Sequence, residues 1–259
     1  MKLLLFPFLC VIQFSFGQAI STQLVEKTPL EAEKYVGTDN YGSIYYVKDN
    51  IFYKIGEDKT YQFNDLQLGK LTSVDIINPL KITLFYKDMN TVVFLDRHLI
   101  EINRINFNLL PNFRTLAFAS TAGNNSLWLF NMDSQQLEIF DYLKKKTLVH
   151  TQPLDQKAID LKSNFNFCWL LTEKMVKKYN SYGSLLFEIP NPDFTKLAES
   201  NGRIIGKKEL GFYFMKKNTH KFIALKIPKI DVKSFYLNDE NLYIYDGEFI
   251  HTYQINPIN

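Results

Sequence analysis

The prolines of this chain recur at a spacing that constrains the fold more than any other feature. Outside Pro7 near the start, Pro79 in a turn and Pro257 at the end, they fall at Pro29, Pro111, Pro153, Pro190 with Pro192, and Pro228, the later steps being about 40 residues. Each follows a strand-like run. Proline cannot donate to a sheet ladder, so these positions suit crossings from one small sheet to the next.

Between the crossings, β-branched and aromatic runs alternate with Asp, Asn, Gly and Lys turns. The first unit reads as four short strands, Lys34 to Asp39, Ser43 to Val47, Ile51 to Ile55 and Thr60 to Phe63, with Lys48-Asp49-Asn50 as one tight turn. A second runs from Leu71 to Phe107 through Ile82-Thr83-Leu84-Phe85-Tyr86. Trp128 and Trp169 mark corresponding middle strands of the next two units, and a fifth spans Phe194 to Ile227. The sixth unit, from Ser234 to Ile255, stops one strand short. At the other end, Thr22 to Lys27 is an unassigned strand-like run followed by Pro29, as outer strands elsewhere are followed by crossing prolines. We therefore expect this run to complete the last sheet, which would remove an exposed edge. The near-continuous apolar character of the middle strands argues against a two-domain sandwich, whose half-wet strands alternate. The 22 Phe and 15 Tyr suit sheets packed on both faces.

This series of units resembles the six-bladed β-propeller class and, more loosely, uncharacterised exported propeller-like proteins of flavobacterial envelopes. It has no Trp-Asp series, kelch double glycine or Tyr-Trp-Thr-Asp repeat. The resemblance implies an all-β, single propeller of six four-stranded blades over residues 18–259, closed by the N-terminal strand.

Residues 1–17 read as a secretory signal peptide: Lys2, an apolar run from Leu3 to Ile12, then the small residues Ser15 and Gly17. Export to the periplasm or an outer-membrane-associated position is the expectation, with no transmembrane segment in the mature chain. A formal net charge of +3, with acids and bases interspersed, excludes the basic stripe of a nucleic-acid binder.

Nothing in the sequence assembles a catalytic constellation, a metal site or a cofactor motif. His98, His150, His220 and His251 are scattered at turns and outer strands without metal-ligand spacing. Cys168, beside Trp169 in an apolar strand, reads as a small buried hydrophobe. Paired lysines such as Lys144-Lys145-Lys146, Lys177-Lys178 and Lys207-Lys208 read as solvated turns and protected edges. The candidate ligand-binding residues are Asp75 and Asp160, in Val74-Asp75-Ile76 and Ile159-Asp160-Leu161. They occupy similar places in the first strands of two units, and first strands line a propeller's channel. Two functions are consistent with this. One is a non-enzymatic scaffold binding a protein partner in an envelope assembly, secretion or transport complex. The other is an exported hydrolase, or a small-ligand or glycan sensor, with a calcium-supported axial pocket.

Overall fold

The computed structural model describes residues 19–256 apart from Asn124, Leu210, Lys217 and Asn218. The expected signal segment, residues 1–17, lies outside them. After the leading strand β1 (Ile20–Pro29), the chain runs as antiparallel meanders. The first comprises β2 (Lys34–Thr38), β3 (Ile44–Lys48), β4 (Ile51–Ile55) and β5 (Thr60–Phe63). The second comprises β6 (Ser73–Asp75), β7 (Ile82–Tyr86), β8 (Thr91–Leu95) and β9 (Glu101–Asn106). The third is β10 (Leu116–Thr121), β11 (Ser126–Asn131), β12 (Gln136–Asp141) and β13 (Lys146–His150). The fourth is β14 (Ala158–Ser163), β15 (Phe167–Thr172), β16 (Met175–Asn180) and β17 (Leu185–Pro190).

Local chemistry explains the strands. Asp49 and Asn50 both take positive φ, the conformation of a two-residue hairpin turn, and Asn tolerates it best among non-glycine residues. The middle strands β7 and β8 are buried at every position, whereas the outer strands β13 and β17 have only exposed and half-buried positions. Burial on both faces is what an apolar run without alternation requires. Trp128 and Trp169 sit fully inside, in β11 and β15.

The remaining strands depart from expectation. β18 (Lys196–Ser200), β19 (Arg203–Lys208), β20 (Gly211–Lys216) and β21 (Lys221–Lys226) join β22 (Ser234–Asn238), β23 (Asn241–Tyr245) and β24 (Phe249–Ile255) in one eight-stranded sheet. Hydrogen bonding thus gives four four-stranded sheets and one of eight, where six separate sheets were expected. The cause is β1, which bonds on both sides. It pairs antiparallel with β24 from Thr22 to Pro29, setting Leu24 opposite Tyr253, and its first two residues add a short parallel pairing to Leu225 and Lys226 of β21.

Apolar clusters fill the space between successive sheets. Tyr45 and Phe52 meet Leu84 and Val93, Phe85 and Phe94 meet Leu127 and Leu129, and Trp128 and Phe130 meet Cys168 and Leu170. Trp169 and Leu171 meet Leu197 and Ile204. The two halves of the eight-stranded sheet enclose Ile205, Phe212, Leu242 and Ile244, and Tyr245 with Ile250 packs back onto Tyr35 of β2. The result is an all-β, propeller-like ring. Among the described residues, no helix is long and apolar enough to cross a membrane.

Candidate functional site

The innermost strands β2, β6, β10, β14, β18 and β22 all line one axial cavity of about 810 Å³. Side-chain hydrogen bonds stitch every neighbouring pair. Asn238 Nδ2 donates to Thr38 O (3.1 Å), and Lys34 Nζ to Thr72 O (3.2 Å). Ser120 Oγ and Thr121 N both donate to Asp75 Oδ2, at 2.7 and 2.8 Å. Ser163 Oγ reaches both Ser120 Oγ and Thr121 O at 2.8 Å. Leu197 N donates to Asp160 Oδ2 (2.8 Å), Asn164 Nδ2 to Glu199 Oε1 (2.7 Å), and Asp239 N to Ser200 Oγ (2.9 Å).

Most of these bonds join the C-terminal ends of neighbouring inner strands, and the Lys34–Thr72 bond joins two N-terminal ends, so the inner strands run the same way along the bore. One mouth therefore collects the first turn of each meander and the other collects the crossings. The turn mouth is acidic. Asp39, Asp75 and Glu199 gather there around Tyr236. Burial, and then the nearby Asp75, push the Glu199 carboxyl up, against the opposing hydrogen bonds from Gly202 N and Asn164. Burial and these same acids also raise the Tyr236 phenol. Asp39 is itself saturated, accepting from Tyr41 N, Ser43 N and Tyr45 OH.

The crossing mouth is cationic. Lys34, Lys70, Lys162 and Lys196 line it. Lys34 is exposed to the water of the bore, yet enough protein crowds its ammonium to lower its pKa to about 8, through desolvation first and then through repulsion from Lys162 and Lys196, with Asp160 opposing.

Both sequence candidates line the bore, but the structure does not give them equivalent places. Asp75 ends β6, bonds near the end of β10, and shares its surroundings with Glu199 and Tyr236. Asp160 lies in mid-strand, bonds near the start of β18, and faces Lys34. The similarity of their sequence contexts does not carry over because the two sit at different depths of the bore: Asp75 pairs with Thr83, the second residue of its middle strand, and Asp160 with Leu171, the fifth of its own. Among the described residues, no group of three or more His, Cys, Asp or Glu could hold a metal ion.

Sequence reasoning did not single out Lys34, Lys162, Lys196 or Glu199. A usable signal was present, since Lys34 and Lys196 each open a first strand. Cys168 is fully buried, and burial drives its thiol well up. No described histidine lines the bore. His251, expected at a surface or strand end, is instead buried in β24, 2.7 Å from Asp246 Oδ2. Burial alone would raise the Asp246 carboxyl, but His251 and the N–H groups of Phe249 and Glu248 hold it at about 2.

No family model and no curated protein matches the chain. Solved structures do match. A streptogramin B lyase is similar with a TM-score of 0.63 at 13% identity, covering 91% of this chain and 98% of that one. A chain of a mitotic checkpoint complex gives 0.64 at 8% identity, over 99% of both. PorZ, an essential bacterial surface component of the type-IX secretion system of Porphyromonas gingivalis, gives 0.51 at 14% identity. That match covers 92% of this chain but 39% of PorZ. Identities this low speak to architecture alone, and the architecture is that of a β-propeller.

Proposed function

We propose that this chain is a non-enzymatic, exported scaffold of the cell envelope that binds a protein partner with the turn face of its ring. In this reading it is a six-bladed propeller, the two halves of the eight-stranded sheet serving as the fifth and sixth blades and β1 as the outer strand of the last.

The observation that carries the proposal is the apolar character of loop tips on the turn face. Tyr41 is 83% exposed and Tyr182 79%, and Leu80, Ile100, Leu143 and Phe165 are exposed in other loops of the same face. Leu66, Leu109 and Phe113 are exposed on the crossing face as well, but the exposed tyrosines Tyr41 and Tyr182 both lie on the turn face, and tyrosine is among the anchors that interfaces favour. Export rests on the signal-like residues 1–17. Placement in an envelope assembly or secretion complex draws on the likeness in fold to PorZ. The hydrolase or sensor reading has less support, because Asp75 and Asp160 are already engaged in stitching neighbouring strands.

The test is to purify the tagged full-length chain from detergent-solubilised envelopes of its source organism and measure the native mass. A stable heteromeric complex is expected, and Tyr41→Ser with Tyr182→Ser should dissociate it at unchanged melting temperature. Recovery of a lone monomer from repeated mild preparations would overturn the scaffold reading.

A further inference from the structure

We propose that the crossing mouth of the bore binds the oxyanion group of a small organic ester, a phosphate or sulfate, in a cage formed by Lys34, Lys162 and Lys196 with Lys70 at its rim. The cations come from separate sheets and line one cavity. Lys70, Lys162 and Lys196 form no ion pair among the described residues, and Lys34 donates only to the Thr72 carbonyl.

Two acids share this mouth. Glu33 is exposed at the rim, and the buried Asp160 has one oxygen committed to Leu197 N. Lys207 and Lys233 also border the cavity, the first donating to Glu209 O and the second paired with Asp231. The four remaining ammonium groups against two carboxylates leave an excess of positive charge at a mouth that, with Lys34, Lys70 and Lys196 exposed, is open to an entering anion. Lysine supplies compact, mobile charges, so it suits a tetrahedral oxyanion without requiring a planar one. Lys34 adds support: it is crowded by Lys162, Lys196 and Lys70, with Asp160 opposing, and holds its proton only to about pH 8. A bound anion relieves that repulsion.

The rest of the ligand is constrained as well. The cavity volume of about 810 Å³ is in the usual range for small-molecule sites. Beyond the lysines the wall carries Val36, Val74, Phe118 and Phe235, which favours an apolar or aromatic body on the ester. The site is at the opposite mouth from the proposed protein-binding face, so its failure would leave that reading intact.

The experiment is isothermal titration of the full chain with inorganic phosphate and with phenyl phosphate at fixed ionic strength. Saturable binding with one site is expected, tighter for phenyl phosphate, whose binding should weaken between pH 7 and pH 9 as Lys34 loses its proton while the ester stays dianionic. Lys162→Met with Lys196→Met, which breaks no hydrogen bond, should cost at least tenfold in affinity at unchanged melting temperature. Lys144→Met with Lys145→Met, on an outer hairpin, should cost nothing. No saturable binding of either probe, or equal affinity in the Lys162 and Lys196 double variant, would overturn the proposal.

Discussion

Asp75 accepts three hydrogen bonds, from Ile77 N on one oxygen and from Ser120 Oγ and Thr121 N on the other. A carboxylate so occupied holds two inner strands at a fixed distance and has little coordination capacity left for a hard cation, which wants six or more oxygens. Thr121 is buried, so removing its acceptor strands an N–H away from water. Asp75→Ala should therefore lower stability by about 1–3 kcal/mol in urea unfolding. Calcium should leave the melting temperature of the unaltered chain unchanged. A calcium-dependent rise that Asp75→Ala removes would assign the residue to a ligand instead. That Asp75 and Asp160 reach the bore was legible in their first-strand positions. Their actual partners were not, because these belong to the neighbouring sheet, about 40 residues further along.

β1 is the element on which closure depends. Most of its residues are exposed or half-buried, with Leu24 and Val25 about half exposed at its bulge. Its contribution is therefore mainly the ladder it makes with β24 and the short bridge to β21. Deleting residues 20–29 would expose the edge of β24 and remove Ile20 from the core it shares with Leu225 and Ile244. Open edges template pairing with other chains. We expect that truncated chain to lose cooperative unfolding and to elute as soluble aggregates in size-exclusion chromatography. A monomer with unchanged melting temperature would show that closure contributes little. The sequence exposed this strand through its mismatch with the short last unit, and Leu24 does face Tyr253. The added bridge to β21 had no sequence signal, since two residues of parallel pairing leave no periodicity.

At the scale of the whole molecule, the bore separates charge along its axis, acids at the turn mouth and lysines at the crossing mouth. This gives stability a particular alkaline dependence. Lys34 has its folded-state pKa lowered to about 8, so between about pH 8 and the ordinary lysine value the unfolded chain binds more protons, and stability rises with pH. Buried tyrosines act in the opposite sense. Burial raises Tyr35, Tyr45 and Tyr86, and takes Tyr179 to about 12, so the stability they contribute is present below about pH 10 and lost above it. Thermal melts should show stability climbing from pH 8 to a maximum near pH 10 and then falling. Water in the bore screens the contribution of Lys34 to the order of 1 kcal/mol, about 2–4 °C in melting temperature. Lys34→Met should reduce the climb, leaving only the part that the half-buried Lys178 adds, and keep the fall.

The sequence by itself determined the strands, the hairpin turns, the proline crossings and the return of the N-terminal strand to the last sheet. Those features arise from side-chain alternation, positive-φ turn residues and missing donors, all of which act within a few positions along the chain. The tertiary structure alone decided that one sheet would contain eight strands, that Asp75 and Asp160 would stitch neighbouring strands, and that lysines from separate sheets would converge on one mouth. These outcomes depend on which side chains meet across the axis of a closed ring, a distance that no local pattern encodes.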